Sequence, residues 1–397
     1  MPTDWKEMHR TLVEASRLDD RLWELSGRSN TSWRLPPDVM RLVLGYCPLG
    51  EVMTVAALVC RSWRAMASRS GVWDTFSLST LVRVPGVPTI SPFVATPLTH
   101  SQIREQYWLA QLARQYANCR TVDLSSATRL GAKSLMGVVG ACLRVTSIDF
   151  SMSNLDDSMV DAMVGVPTSC LQGLRHLTLS VCDRLSEGGL TQLISACPNL
   201  RVLRVSHLTQ VGGTPVLEAV CRSCSYIEEL QMTGFPFVSP TTTLELPSLS
   251  HLNLSYSIVP GVVLEGLCAR FPSMTTLTLS HVEELRDGGF LSMLRRCGGG
   301  LHRININGTL LGTSVGHLPQ PSPLLTHLYI SKTAVSGEEV VSVVEGCPML
   351  AQLDISHCSG ARRDLLRGGV LRGYLRDRPT LLTEASITYC SGVPSKR

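Results

Sequence analysis

From Cys119 onward the chain repeats a four-residue string in which two apolar residues alternate with polar ones, and no other feature restricts the possible folds as much. Copies begin at Val122, Ile148, Leu177, Leu203, Leu230, Leu252, Leu277, Ile304, Leu328, Leu353 and Ala385, with spacings of 22 to 32 residues. A period of two is that of a strand with one buried face. After most copies the period lengthens to three or four, as in Leu190, Leu193 and Ile194, or Val340, Val343 and Val344, which predicts a helix on the return path. One strand and one helix cannot bury their apolar sides alone. Stacked on identical neighbours they share a continuous core, so the pattern predicts an α/β solenoid of about eleven units.

The alternate residues of each strand then stand on the open face of the sheet. The candidate substrate-binding residues there are Asp149, His176, Arg204, Gln231, Asn253, Asn305, Tyr329 and Asp354, a set varied in charge and size, as a protein-reading surface requires. His176, His251 and His327 share a column, but whole repeats at ~4.8 Å each separate them, too far for one compact metal site. No histidine has a paired nucleophile at readable spacing. The chain has no G-x-x-x-x-G-K-[ST] and no G-x-S-x-G string. Cys221 and Cys224 form a lone C-x-x-C without the second pair a zinc site needs. No catalytic residue, no metal and no cofactor are therefore expected.

The cysteines are periodic as well. Cys142, Cys170, Cys197, Cys224, Cys297 and Cys347 recur at one point of the repeat, and Cys182, Cys358 and Cys390 at another. The L-x-L-S-x-C strand and the junctions Cys197-Pro198-Asn199-Leu200 and Cys347-Pro348-Met349-Leu350 resemble the Cys-containing class of leucine-rich repeat. That resemblance implies a leucine-rich-repeat horseshoe over residues 119–397 and capture of a protein on its concave side. The column after the central one is almost all Ser, Thr or Asn (Ser180, Ser206 and Ser255 among them), which the same resemblance makes structural. The pattern slips twice: residues 235–249 have no room for a full helix, and the Gly- and Pro-rich stretch 308–324 reads as an irregular loop.

The N-terminal third contains one further compact unit. Leu35 to Phe76 is about 40 residues, near the lower limit for an independent domain, and its second helical run is apolar nearly all round, so something else must cover it. Leu35-Pro36, Val39, Met40, Val59-Cys60, Trp63 and Trp73 stand in the order and spacing of an F-box, which this stretch closely resembles; Cys47-Pro48 departs from the usual Leu-Pro there. An F-box implies docking on a Skp adaptor, and the residues expected on that face or its immediate support are Leu35, Pro36, Val39, Met40, Leu58, Val59 and Trp63. The domain scheme is an N-terminal helix and polar break (1–30), a small three-helix F-box domain (31–76), a Pro-rich connector and helix (77–118), and the repeats (119–397).

Charge narrows the function further. A net +4 with 17% charged residues is no electrostatic footprint for nucleic acid or an anionic membrane. No run approaches the ~18 apolar residues of a membrane span, and the opening residues have charges where a signal peptide has its apolar core. The expected location is the cytoplasm, the nucleus or both. Together the two resemblances imply a non-catalytic substrate-recognition subunit of an SCF-type ubiquitin ligase: the F-box docks on the Skp adaptor, and through it on cullin and RING subunits, while the repeats hold a protein substrate for ubiquitination. The alternative is a leucine-rich-repeat scaffold or inhibitor that turns over no substrate.

Overall fold

The computed structural model describes residues 75–77, 118–127, 131–167, 169–238, 246–261, 263–264, 271–318, 322–358 and 384–386. The N-terminal helix expected over 1–30, nearly all of the F-box and connector segments, and the adaptor-face residues Leu35, Pro36, Val39, Met40, Leu58, Val59 and Trp63 lie outside them. The chain divides into two compact units, the first ending at Leu174 and the second starting at Arg175.

In the first unit three strands run parallel: β1 (Thr75–Ser77), β2 (Thr121–Asp123) and β3 (Ser147–Asp149). Helix α1 (Ala132–Ala141) follows β2, and α2 (Asp157–Val164) follows β3. The Asp156 side chain caps α2 by accepting from the Met159 N–H at 3.0 Å. Leu124, Leu135, Ile148, Phe150 and Met163 form the buried interior. Strand β1 has no counterpart in the sequence pattern, because Thr75-Phe76-Ser77 lacks the repeated string; its partner β2 supplies the ladder.

The second unit continues the architecture with β4 (His176–Ser180), β5 (Val202–Ser206), β6 (Glu229–Thr233), β7 (His251–Asn253), β8 (Thr276–Thr278), β9 (Arg303–Asn305), β10 (His327–Tyr329), β11 (Gln352–Asp354) and β12 (Glu384–Ser386). Each pairs in parallel with the next, so that Leu177, Leu203, Leu230, Leu252, Leu277, Ile304, Leu328 and Leu353 form one line. All of these are buried. Opposite the sheet stand α3 (Glu187–Ser195), α4 (Gly213–Ser223), α5 (Asp287–Cys297) and α6 (Gly337–Gly346). This is the leucine-rich-repeat fold, with every one of the expected strands in place.

A recurring hydrogen bond sets the register. Just before most strands one carbonyl accepts two N–H groups from the next repeat: Arg201 and Val202 donate to Arg175 O, Glu228 and Glu229 to Arg201 O, His302 and Arg303 to Thr275 O, and Thr326 and His327 to His302 O, all at 2.7–3.0 Å. Thr326 adds its hydroxyl to the same His302 oxygen at 2.8 Å. The described cysteines form no disulfide, and all but half-buried Cys221 are buried. Burial pushes Cys224 up to about 12 and Cys347 up to about 11, so both stay protonated. Cys224 Sγ lies 3.5 Å from the Cys197 carbonyl of the preceding repeat.

The two irregular stretches fill the helix layer by other means. After β6, the extended segment Phe235–Val238 buries Phe235 and Phe237. Phe237 packs so closely on Gly213 that a Cβ there would meet the ring at 2.7 Å. The stretch expected to be an irregular loop over 308–324 instead contains a 3-10 helix, Thr313–His317, packed between α5 and α6 with Val315 buried. Five residues suffice for this tighter winding where an α-helix does not fit. Its start is held from the preceding repeat: Asp287 Oδ1 accepts the N–H groups of Gly312 (3.1 Å) and Ser314 (3.0 Å). Glu187 makes the equivalent bond to the Gly212 N–H at 3.2 Å.

Partial burial works to raise the Asp287 carboxyl, but hydrogen bonds from Ser314, Gly312 and Thr313 outweigh it and hold the group below the usual carboxylate range. A depressed folded-state value adds stability above the ordinary carboxylate value, and that stability is lost as pH falls through the lowered one. Asp287→Ala is therefore expected to destabilise the chain by ~1–2 kcal/mol near neutral pH. Urea denaturation at a series of pH values should show the gap to wild type closing below about pH 4.

Candidate functional site

The open strand face of the second unit is built in columns by the parallel register. One column runs His176, Val202, Glu229, His251, Thr276, Arg303, His327 and Gln352, and the next runs Thr178, Arg204, Gln231, Asn253, Thr278, Asn305, Tyr329 and Asp354. Of the sequence-derived candidates, His176, Arg204, Gln231, Asn253, Asn305, Tyr329 and Asp354 thus lie on one face. Asp149 lies at the corresponding position of β3 in the first unit.

Their hydrogen bonds divide them by role. Asp149, Asn253, Asn305 and Asp354 each use Oδ1 to accept the backbone N–H two residues on, from Ser151 (2.8 Å), Ser255 (3.0 Å), Asn307 (3.2 Å) and Ser356 (3.0 Å). This local bond turns the chain out of each strand, so these four half-buried side chains have a structural task as well as a place on the strand face. Arg204 Nε donates to Glu229 Oε1 at 2.8 Å across β5 and β6. The carboxylate raises the guanidinium further, and with the Arg204 side chain 49% exposed the pair adds little to stability. Tyr329 donates its hydroxyl to Gln352 Oε1 at 2.6 Å. Burial, and then the Arg303 cation beside it, hold His327 below its ordinary value. Among the described residues no group of three or more His, Cys, Asp or Glu is placed to hold a metal ion, and no helix is long and apolar enough to cross a membrane.

Beside these columns lies a ledge that the sequence pattern does not single out. The residue after each Ser, Thr or Asn of the repeat has a left-handed backbone: Val181, His207, Gly234, Tyr256, His281, Gly308, Lys332 and His357 in the second unit, with φ from 53° to 81°. For non-glycine residues this costs ~1–2 kcal/mol each. The ladder compensates, because the N–H at this position donates to the next repeat: His207 to Thr233 O, Tyr256 to Ser280 O and His281 to Asn307 O, at 2.7–2.9 Å. The side chains are thereby thrown outward; Tyr256 is 58% exposed. Its ring stacks on the His281 imidazole with centroids 4.9 Å apart and planes 11° from parallel. His281 in turn lies over Gly308, where a Cβ would meet the ring. The only signal for the ledge in the sequence is the pair of glycines in this column.

With this geometry in view, an F-box-like family model matches residues 32–79. A curated F-box/LRR-repeat protein of Arabidopsis thaliana is 23% identical over 271 residues, covering 67% of this chain and 77% of its own length. F-box/LRR-repeat protein 8 of Bos taurus is 29% identical over 181 residues, 45% of this chain and 46% of that protein. F-box/LRR-repeat protein 8 of Homo sapiens is 24% identical over 322 residues, 77% of this chain and 75% of that protein. These findings support an F-box and leucine-rich-repeat family. Among solved structures, a TLR13–ssRNA13 complex matches 62% of this chain and 37% of its own at 14% identity, with a TM-score of 0.41.

The F-box-like match ends at residue 79 and so includes β1, the strand that pairs with β2 of the first repeat. An F-box implies binding to a Skp-type adaptor in general. The repeats contribute a face whose residues are held in register by backbone bonds rather than by one another.

Gly308→Ala tests the ledge. The added methyl meets both a positive φ and the His281 ring, so it is expected to destabilise the chain by ~1–3 kcal/mol in thermal or urea unfolding. Adding His281→Ala removes the steric part and should recover part of the loss in a double-mutant cycle.

Proposed function

We propose that this chain is the substrate-recognition subunit of an SCF-type ubiquitin ligase. The F-box docks on the Skp adaptor, and through it on cullin and RING subunits, while the exposed strand face of the repeats holds a protein substrate. The observation that carries this reading is the coupling of an F-box-like segment at residues 32–79 to parallel leucine-rich repeats that begin within the same unit. The chain itself makes and breaks no bond. Holding a substrate near a charged ubiquitin-conjugating enzyme raises its effective concentration, and this proximity is the whole contribution. Such a subunit works in the cytoplasm or nucleus, where buried thiols such as Cys197, Cys224 and Cys358 stay reduced.

The residues assigned to the adaptor face or its support are Leu35, Pro36, Val39, Met40, Leu58, Val59 and Trp63. The double variant Leu35→Ala/Pro36→Ala probes them with less risk to folding than truncation of Trp63, which costs ~3–5 kcal/mol where an aromatic is buried. Wild type is expected to co-purify with Skp adaptor and cullin, and the double variant to lose both while keeping its circular dichroism spectrum. If neither protein binds the adaptor while both stay folded, the ligase assignment fails and the chain is a leucine-rich-repeat scaffold.

A further inference from the structure

The strand face of the second unit is not uniform in charge. From β7 to β10 the register sets His251, Thr276, Arg303 and His327 in one column. The adjoining column is Asn253, Thr278, Asn305 and Tyr329. The following position holds only Ser and Asn, and the ledge beyond adds Tyr256, His281 and Lys332. No Asp or Glu occupies these columns on four successive strands. Acidic groups stand at both borders instead, Glu229 on β6 and Asp354 on β11. Glu283 and Glu284 lie past the ledge on the chain leaving β8, off the strand columns.

The two asparagines show that this neutrality is not required by the backbone. Their task is to accept an N–H two residues on, and Asp149 and Asp354 do the same with a carboxylate in their own repeats. On β7 and β9 the acceptor is an amide, which removes a negative charge. With Oδ1 committed to the backbone, the polar group that remains on each is an N–H donor. Donors and cations therefore dominate this part of the face.

We propose that the β7–β10 face is the recognition site for a short Asp/Glu-rich peptide segment of a partner protein. The segment's carboxylates meet Arg303, Lys332, His251 and the Asn253 and Asn305 amides. This deepens the substrate-recognition reading given above and rests on the strand face being the site of capture. Four strands span ~14 Å, which an extended chain crosses in about four or five residues. A single nucleic-acid strand fits less well, because only Arg303 and Lys332 carry permanent charge here and a phosphodiester backbone is tracked by runs of Lys and Arg. A phosphoryl dianion is also a weaker fit, since it favours clustered bidentate arginines.

The test uses the full chain and labelled probes: a pentaglutamate peptide, its pentaglutamine and phosphoserine counterparts, and an oligothymidylate. Fluorescence anisotropy is expected to show pentaglutamate binding at least tenfold more tightly than pentaglutamine. Asn253→Asp/Asn305→Asp retains both backbone acceptors and should bind pentaglutamate about tenfold more weakly with an unchanged melting temperature. If that variant fails to fold, Arg303→Gln, which touches no backbone bond, is expected to show the same loss. Equal binding of pentaglutamate and pentaglutamine overturns the proposal. So does a folded Asp variant, or Arg303→Gln, that binds as wild type, or tighter binding of the phosphoserine peptide or the oligothymidylate than of pentaglutamate. Co-purification with the Skp adaptor reads a separate part of the chain: its failure alone removes the ligase reading and leaves the acidic-peptide face standing. Failure of the peptide assay alone leaves the ligase reading and removes this face.

Discussion

The rest of the structure depends on a shared acceptor. In most repeats one carbonyl before the strand takes two N–H donors from the next repeat, so those successive strands can pair in only one register. Each such bond contributes about 1 kcal/mol net, and the repetition makes the total large. Register matters more than the sum, because a one-residue slip would turn every buried leucine of the line from Leu177 to Leu353 into the exposed face. The same ladder, continued past the strand, holds Val181, His207 and Tyr256 in left-handed backbone that a free chain would avoid.

The ladder also makes the open face a regular surface. Side chains that would be unrelated in a loop are set in columns, and neighbouring columns differ in what they must do for the fold. The position after the central column faces inward enough that Ser206, Thr233, Ser255, Ser331 and Ser356 are buried. The central column has a double duty, closing the strand through Asx-type bonds at several repeats while still facing solvent. The ledge carries side chains with no part in the core, and the Tyr256–His281 stack over Gly308 is a packed surface feature made possible by one missing Cβ. Function that depends on side-chain identity is therefore most readable in the flanking column and the ledge, where the fold asks least.

Much of this architecture is legible in the chain's own pattern. The alternating strings place the strands, and the helical spacing after Leu177 and Leu328 places α3 and α6. Residues 308–324 depart from the irregular loop that their glycines and prolines suggest. Those residues do mark the absence of an α-helix, but a 3-10 turn still fits with Val315 inward and Asp287 holding its start. The sequence carries no sign of β1, whose strand character comes from β2 and not from its own three residues. The ledge is equally hidden, because Val181 and Tyr256 are poor indicators of positive φ; only Gly234 and Gly308 hint at it.

The period belongs to the residues themselves, and with it the parallel strands, the buried leucine line, the thiols in the core and the kinship of residues 32–79 with an F-box. These follow from local alternation and motif order, which any one repeat displays. Which exposed residues remain available for recognition is settled only in the folded chain. Arg204 is joined to Glu229 and Tyr329 to Gln352, whereas β7 to β10 present an acid-free stretch. Those relations link residues about 25 positions apart, or repeats stacked side by side, and they exist only once the ladder has brought the columns together.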